Sequence, residues 1–121
     1  MASSLRVIVC GGRDYHDFDR ICACLTALRN KHGIQLIIEG GANGADAHAG
    51  IWADNNKIPR VTMHANWHHH GHKAGPIRND DMIDLLSPDC VVAFPGGRGT
   101  EDMIRRAKAA GLKVWEVGFG R

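Results

Sequence analysis

Asp89-Cys90-Val91-Val92-Ala93-Phe94-Pro95-Gly96-Gly97-Arg98-Gly99-Thr100 carries an apolar run straight into glycines and then into a segment of helical spacing. Between Thr100 and Ala110, that spacing places Met103, Ile104, Ala107 and Ala110 on one stripe. A run this apolar fits a strand covered on both faces. A strand that breaks into glycines and restarts as a helix gathers unpaired backbone N–H groups at one point. The partially positive helix end lies behind them. That arrangement suits a phosphate.

The same design occurs twice more upstream. Leu5 to Cys10 reads as a strand and ends in Gly11-Gly12-Arg13-Asp14. Gln35 to Glu39 reads as a second and ends in Gly40-Gly41-Ala42-Asn43-Gly44. Ile21, Leu25 and Leu28 mark a helix between them that stops at Gly33, and a short helix from about Ala45 to Asn55 follows the second loop. Pro59 to His64 is a weaker third strand, and Lys113 to Val117 is the last. Ala65 to Pro76 is polar, rich in histidine and glycine, and reads as a long loop, a kind that is functional when ordered. Pro76 then suits the first turn of a helix with Met82, Ile83 and Leu86 on its buried side.

Strict alternation of strand and helix predicts an α/β fold: a Rossmann-like, doubly wound parallel sheet of about five strands with helices on both faces. Right-handed crossovers make the order 3-2-1-4-5 the simplest. Strands 2, 1 and 4 are then neighbours, and their three glycine loops share one edge beside the switch point, where ligands of such sheets bind. The 121 residues form one domain, without repeats or a linker.

A formal charge of +2 gives no argument for nucleic acid or membrane. No signal-peptide pattern or membrane-spanning apolar run is present. Cys10 and Cys90 lie in apolar runs, and Cys22 and Cys24 point apart on a helix, so the thiols are expected to be free. The expected setting is the reducing cytoplasm.

Arginine sharpens the reading of the loops. Arg13 and Arg98 lie inside two of them, and Arg78 lies early in the third main helix. A helix terminus contributes only about 0.3–1 kcal/mol to holding an anion, so a tight site needs guanidinium groups as well. Arg105, Arg106, Lys108 and Lys113 read as solvated surface charges. Asp14 and Asp46 are carboxylates within the loops, suited either to capping local N–H groups or to a ribose hydroxyl or base nitrogen. His68, His70 and His72, with His64 near, share a face only if their stretch is extended; with no Cys or carboxylate at ligand spacing, a solvated loop bordering the pocket is expected, and no metal. Trp52 and Trp115 read as packing residues, and Trp67 as a surface for stacking on a base.

Gly11-Gly12-Arg13-Asp14, Glu39 to Asp46, Trp67, Ala74-Gly75-Pro76-Ile77-Arg78-Asn79 and Phe94 to Thr100 together resemble the YspA-type, cpYpsA-related branch of the SLOG superfamily. The resemblance implies a Rossmann-like fold that binds nucleotides or nucleotide-derived small molecules. It implies a ligand site made of Gly11, Gly12, Arg13, Asp14, Gly40, Gly41, Asn43, Gly44, Ala45, Asp46, Trp67, Arg78, Asn79, Pro95, Gly96, Gly97, Arg98, Gly99 and Thr100. Related Lonely Guy-type phosphoribohydrolases carry PGGxGTxxE and an R-x-x-x-M segment. Here Pro95-Gly96-Gly97-x-Gly99-Thr100 and Arg78-x-x-x-Met82 match, but the glutamate position holds Met103, which can act neither as acid nor as base. Arg78 is the one weak catalytic candidate.

The expected function is binding of a phosphate-bearing nucleotide derivative, as a sensor or sequestering protein, with no required cofactor. The alternative is a hydrolase cleaving a glycosidic or phosphate bond of such a ligand. A third, less favoured reading, by analogy with DprA relatives, is single-stranded nucleic-acid binding, which lacks its usual stripe of basic and aromatic residues here. Relatives imply a homodimer.

Overall fold

A computed structural model describes residues 4–118 and contains a five-stranded sheet in the order β3-β2-β1-β4-β5. The strands are β1 (Leu5–Cys10), β2 (Ile34–Glu39), β3 (Arg60–Thr62), β4 (Cys90–Ala93) and β5 (Lys113–Glu116). Every pairing is parallel, with Val7 opposite Cys90 and Cys10 opposite Ala93 where β1 meets β4. The predicted doubly wound order is the one found.

Period-two alternation divides the core into two layers. Val7, Val9, Ile37, Val92 and Phe94 face α1 (Phe18–His32) and α2 (Ala45–Asn55), meeting Ile21, Leu25, Ala49 and Trp52. Ile8, Ile38, Val91 and Ala93 face α4 (Ala74–Leu86) and α5 (Arg98–Ala109), meeting Met82, Met103, Ile104 and Ala107. Helix starts and stops follow local chemistry. The Asp17 side chain accepts from the Arg20 N–H at 3.0 Å, and Gly33, at φ 78°, ends α1.

The segment 65–76 corrects the loop expectation. Asn66 caps a short helix α3 (Trp67–His70), its Oδ1 accepting from the His69 N–H at 3.1 Å. A 3₁₀ turn over Gly71–Lys73 then leads into α4, which begins at Ala74 rather than Pro76. Pro76 is its third residue, still in the first turn, where a missing N–H costs nothing. Since the histidines are helical, His68, His70 and His72 do not share the face an extended chain would give them. Among the described residues no group of three His, Cys, Asp or Glu side chains is placed to hold a metal ion. Helix α5 begins at Arg98, two residues before the expected Thr100, and β3 covers only Arg60–Thr62 of the expected 59–64. No helix among the described residues is long and apolar enough to cross a membrane, and all four cysteines are free.

Candidate functional site

Strands β1 and β4 are neighbours whose connections leave in opposite directions, and their C-terminal loops meet main chain to main chain. The Gly12 N–H donates to the Pro95 carbonyl at 2.9 Å. A Cβ on Gly12 would lie 3.0 Å from that oxygen, and one on Gly96 would lie 2.6 Å from the Gly12 nitrogen. A Cβ on Gly11 would lie 2.6 Å from the Ala45 Cβ. These three glycines allow close packing of loops.

Gly97 and Gly99 are different. A Cβ on either meets nothing within 4 Å, and neither residue has positive φ. Gly97 caps α5 without a side-chain hydrogen bond, and Gly99 lies in its first turn. The Glu101 N–H bonds the Gly97 carbonyl at 3.0 Å, leaving the earlier N–H groups of the helix without intrahelical partners. Packing calls for glycine at neither position; Gly97 is the N-cap, where glycine is favoured over alanine, so Gly99 alone has no local reason to be glycine.

Above them opens a cavity of ≈ 720 Å³. Fourteen of the predicted site residues line it: Gly11, Gly12, Arg13 and Asp14 from the β1 loop, Asp46, Trp67, Arg78, Asn79, and the run Pro95 to Thr100. Arg13 and Arg98 are exposed, and no carboxylate among the described residues pairs with them or with Arg78. Arg98 is the first residue of α5 rather than a loop residue, and it lines the cavity.

Helix α4 supplies another wall. Arg78 is held firmly: Nη1 donates to the carbonyls of Gly40 at 3.1 Å and Met63 at 3.2 Å, and Nε donates to Asn79 Oδ1 at 3.0 Å. Its Nη2 has no protein partner among the described residues. Asn79 is buried and donates Nδ2 to Asp102 Oδ2 at 2.9 Å and to the Gly99 carbonyl at 3.3 Å. It therefore ties the arginine wall to the start of α5. Arg106, expected as a solvated charge, extends this network to Asp102 at 2.8 Å and Asp80 at 2.7 Å. Burial raises the Asp102 carboxyl, but hydrogen bonds from Asn79 and Arg106 outweigh this and hold it below the ordinary range. Trp67 is 52 % exposed on the rim, its ring edge over Gly75.

The β2 loop contributes less directly. Gly40, Gly41, Asn43, Gly44 and Ala45 do not line the main cavity. Gly41 and Asn43 face a separate recess of ≈ 390 Å³ shared with Glu39, Arg60, Thr62 and His64. Gly44 packs on the β1 loop, its own carbonyl accepting the His48 N–H at 3.0 Å. Asp46 is the loop's residue in the main cavity besides Ala42. Its Oδ2 accepts from the N–H groups of Gly40 at 3.1 Å and Ala42 at 3.3 Å. Burial pushes its carboxyl up to about 6, against the opposing pull of those N–H groups and Arg78.

Met103, at the position of the catalytic glutamate of the resembled enzymes, is 1 % exposed and packed in the core. Cys10, Tyr15, Ala42 and Gly75 also line the cavity, although sequence reasoning did not single them out. Tyr15 stacks on Phe94 with ring centroids 5.3 Å apart, and its place directly after Arg13-Asp14 was the available signal. Burial pushes the Cys10 thiol up to about 12, so it is a neutral floor residue and not a nucleophile. Among His68, His69, His70 and His72, none lines the cavity.

The chain is similar to known proteins in sequence. Gene 61 protein of Mycobacterium phage D29 is 34 % identical over 124 residues, spanning 95 % of this chain and 96 % of that protein. No solved structure matches the chain. Residues 5–70, which hold β1, β2, β3 and two of the three glycine loops, match the YspA, cpYpsA-related SLOG family, and the chain belongs to that family.

Proposed function

We propose that this protein binds a phosphate-bearing nucleotide or nucleotide-derived small molecule, as a sensor or sequestering protein. The observation that carries the reading is Gly99, open-sided and in the first turn of a helix whose start faces a cavity. Glycine in a helix is about 1 kcal/mol less favourable than alanine, so glycine there without a packing need favours close approach of a ligand to the backbone. The phosphate would rest on the first N–H groups of α5, with Arg98 and Arg13 beside it and Arg78 across from it. Trp67 would stack on the base.

Gly99→Ala tests this. Side chains on a helix lean toward its N-terminus, so the added methyl points at the cradle. Binding of ribonucleoside 5′-monophosphates, measured by calorimetry, is expected to weaken at least tenfold, about 1.4 kcal/mol. The thermal midpoint of the free protein should stay level or rise. Unchanged affinity would remove the cradle from the account.

A hydrolase would need an acid or base that Met103 cannot supply. Asp46, raised to about 6 in the same cavity as Arg78, is a carboxyl suited to that role, and it keeps cleavage of a glycosidic or phosphate bond as the second reading. The first reading expects the nucleotide to be recovered intact after prolonged incubation.

A further inference from the structure

Asp46 is only 6 % exposed, yet it lines the main cavity. One oxygen, Oδ2, is taken by the Gly40 and Ala42 N–H groups. The other, Oδ1, accepts from no protein donor among the described residues. Arg78 does not fill that role, because Gly40 and Met63 carbonyls hold its Nη1. The two side chains converge on Gly40: a Cβ there would lie 2.2 Å from Arg78 Nη1 and 3.0 Å from Asp46 Oδ2. Both residues line the cavity, so its wall carries an acceptor, Asp46 Oδ1, and a donor, Arg78 Nη2, that no protein group engages among the described residues.

In dinucleotide-binding sheets an acidic residue at the end of the second strand holds the ribose hydroxyls. The residue at that place here is Glu39, and it is otherwise engaged. Its Oε1 accepts the Gly41 N–H at 2.6 Å, while Oε2 accepts from Arg60 at 3.3 Å and from the Thr62 hydroxyl. It lines only the smaller recess.

Resting on the nucleotide reading above, the geometry points to Asp46, with Arg78, as the residue that recognises a vicinal diol of the ligand's sugar. One hydroxyl donates to Asp46 Oδ1, and a hydroxyl oxygen accepts from Arg78 Nη2. A bound ligand without the diol covers the Asp46 oxygen without giving it a donor, a form of discrimination that hydrogen-bonding sites use strongly. The ligand class is therefore a ribonucleotide derivative with free 2′ and 3′ hydroxyls, in preference to a deoxynucleotide.

The four common ribonucleoside 5′-monophosphates and their 2′,3′-dideoxy counterparts are the probes, with calorimetry on the full chain. The wild type should bind at least one ribonucleotide tenfold or more tightly than its dideoxy counterpart. Asp46→Asn is close to isosteric: its amide oxygen can keep the Gly40 and Ala42 N–H groups while its NH₂ turns a donor toward the diol. The variant should lose the discrimination, binding each ribonucleotide and its dideoxy counterpart with equal affinity. Thermal midpoints of the free proteins show that both are folded. Equal wild-type affinity for both sugars, with Gly99→Ala weakening both, overturns the diol assignment and leaves the phosphate reading standing. Discrimination that survives Asp46→Asn also overturns it. Failure of all the nucleotides to bind overturns both readings.

Discussion

Gly44→Ala is expected to destabilise the protein by about 3 kcal/mol or more, enough to unfold much of a marginal population. Gly44 adopts φ 75° and ψ −129°, a region essentially closed to residues with a Cβ. The added methyl would also lie 2.2 Å from the Gly12 carbonyl oxygen and 2.5 Å from that of Arg13. Both are main-chain atoms of the β1 loop, which is itself fixed by the Gly12–Pro95 hydrogen bond of 2.9 Å, so neither can withdraw cheaply. Strain and collision act together. Urea unfolding of the variant measures the loss, and a stability within 1 kcal/mol of wild type would show that the two loops do not lock each other. The contrast with Gly99→Ala is the point: one glycine serves the fold, the other is free to serve a ligand.

Asp46→Asn should stabilise the free protein at pH 7.5 by roughly 2–3 kcal/mol, several degrees in Tm, and change little at pH 4. Burial raises the folded pKa from 3.8 to about 6, with Arg78 and Glu39 the charged groups facing the carboxyl and the neutral Cys10 thiol nearby. The sign follows from proton binding. Below pH 3.8 Asp46 is protonated in both states and carries no penalty. Between that and pH 6 the unfolded chain releases its proton while the folded chain keeps it, so wild-type stability falls. Above pH 6 the penalty is complete and constant. Asparagine has no such transition. Thermal melts of both proteins across this range check it, and a stability difference independent of pH would show that Asp46 is not held in a desolvated site. A carboxylate kept at a cost to the fold is a common mark of a functional position.

Much of this was legible in the sequence because the relevant signals are local and periodic. The runs 5–10 and 35–39 read as strands, observed over 5–10 and 34–39, and glycines at their ends mark the turns. Strand order followed from alternation and handedness, and order placed the loops of β1 and β4 together. The histidine segment misled for a physical reason: polar residues of modest helix propensity hide a helix whose start is held by one cap, Asn66, and none of whose residues is buried. The β2 loop is a different case. Its glycines read as ligand contacts, and in the fold Gly40 and Gly44 also make room for Arg78 and for the β1 backbone. Which atom a glycine makes room for is a tertiary fact. So are the two carbonyls that hold Arg78 off Asp46 and the loss of Glu39 to Arg60 and Thr62.

The central claim is that a nucleotide phosphate rests on the start of α5 against the β1 loop. Backbone amide NMR during titration with ribonucleoside 5′-monophosphates tests it most directly. The account predicts saturable shifts concentrated at Gly12, Arg13 and Gly97 through Thr100, with smaller ones at the Arg78 and Trp67 wall. Titration that leaves those amides unmoved, or that moves only residues of the opposite sheet edge such as the start of β1 and the end of α1, would contradict it.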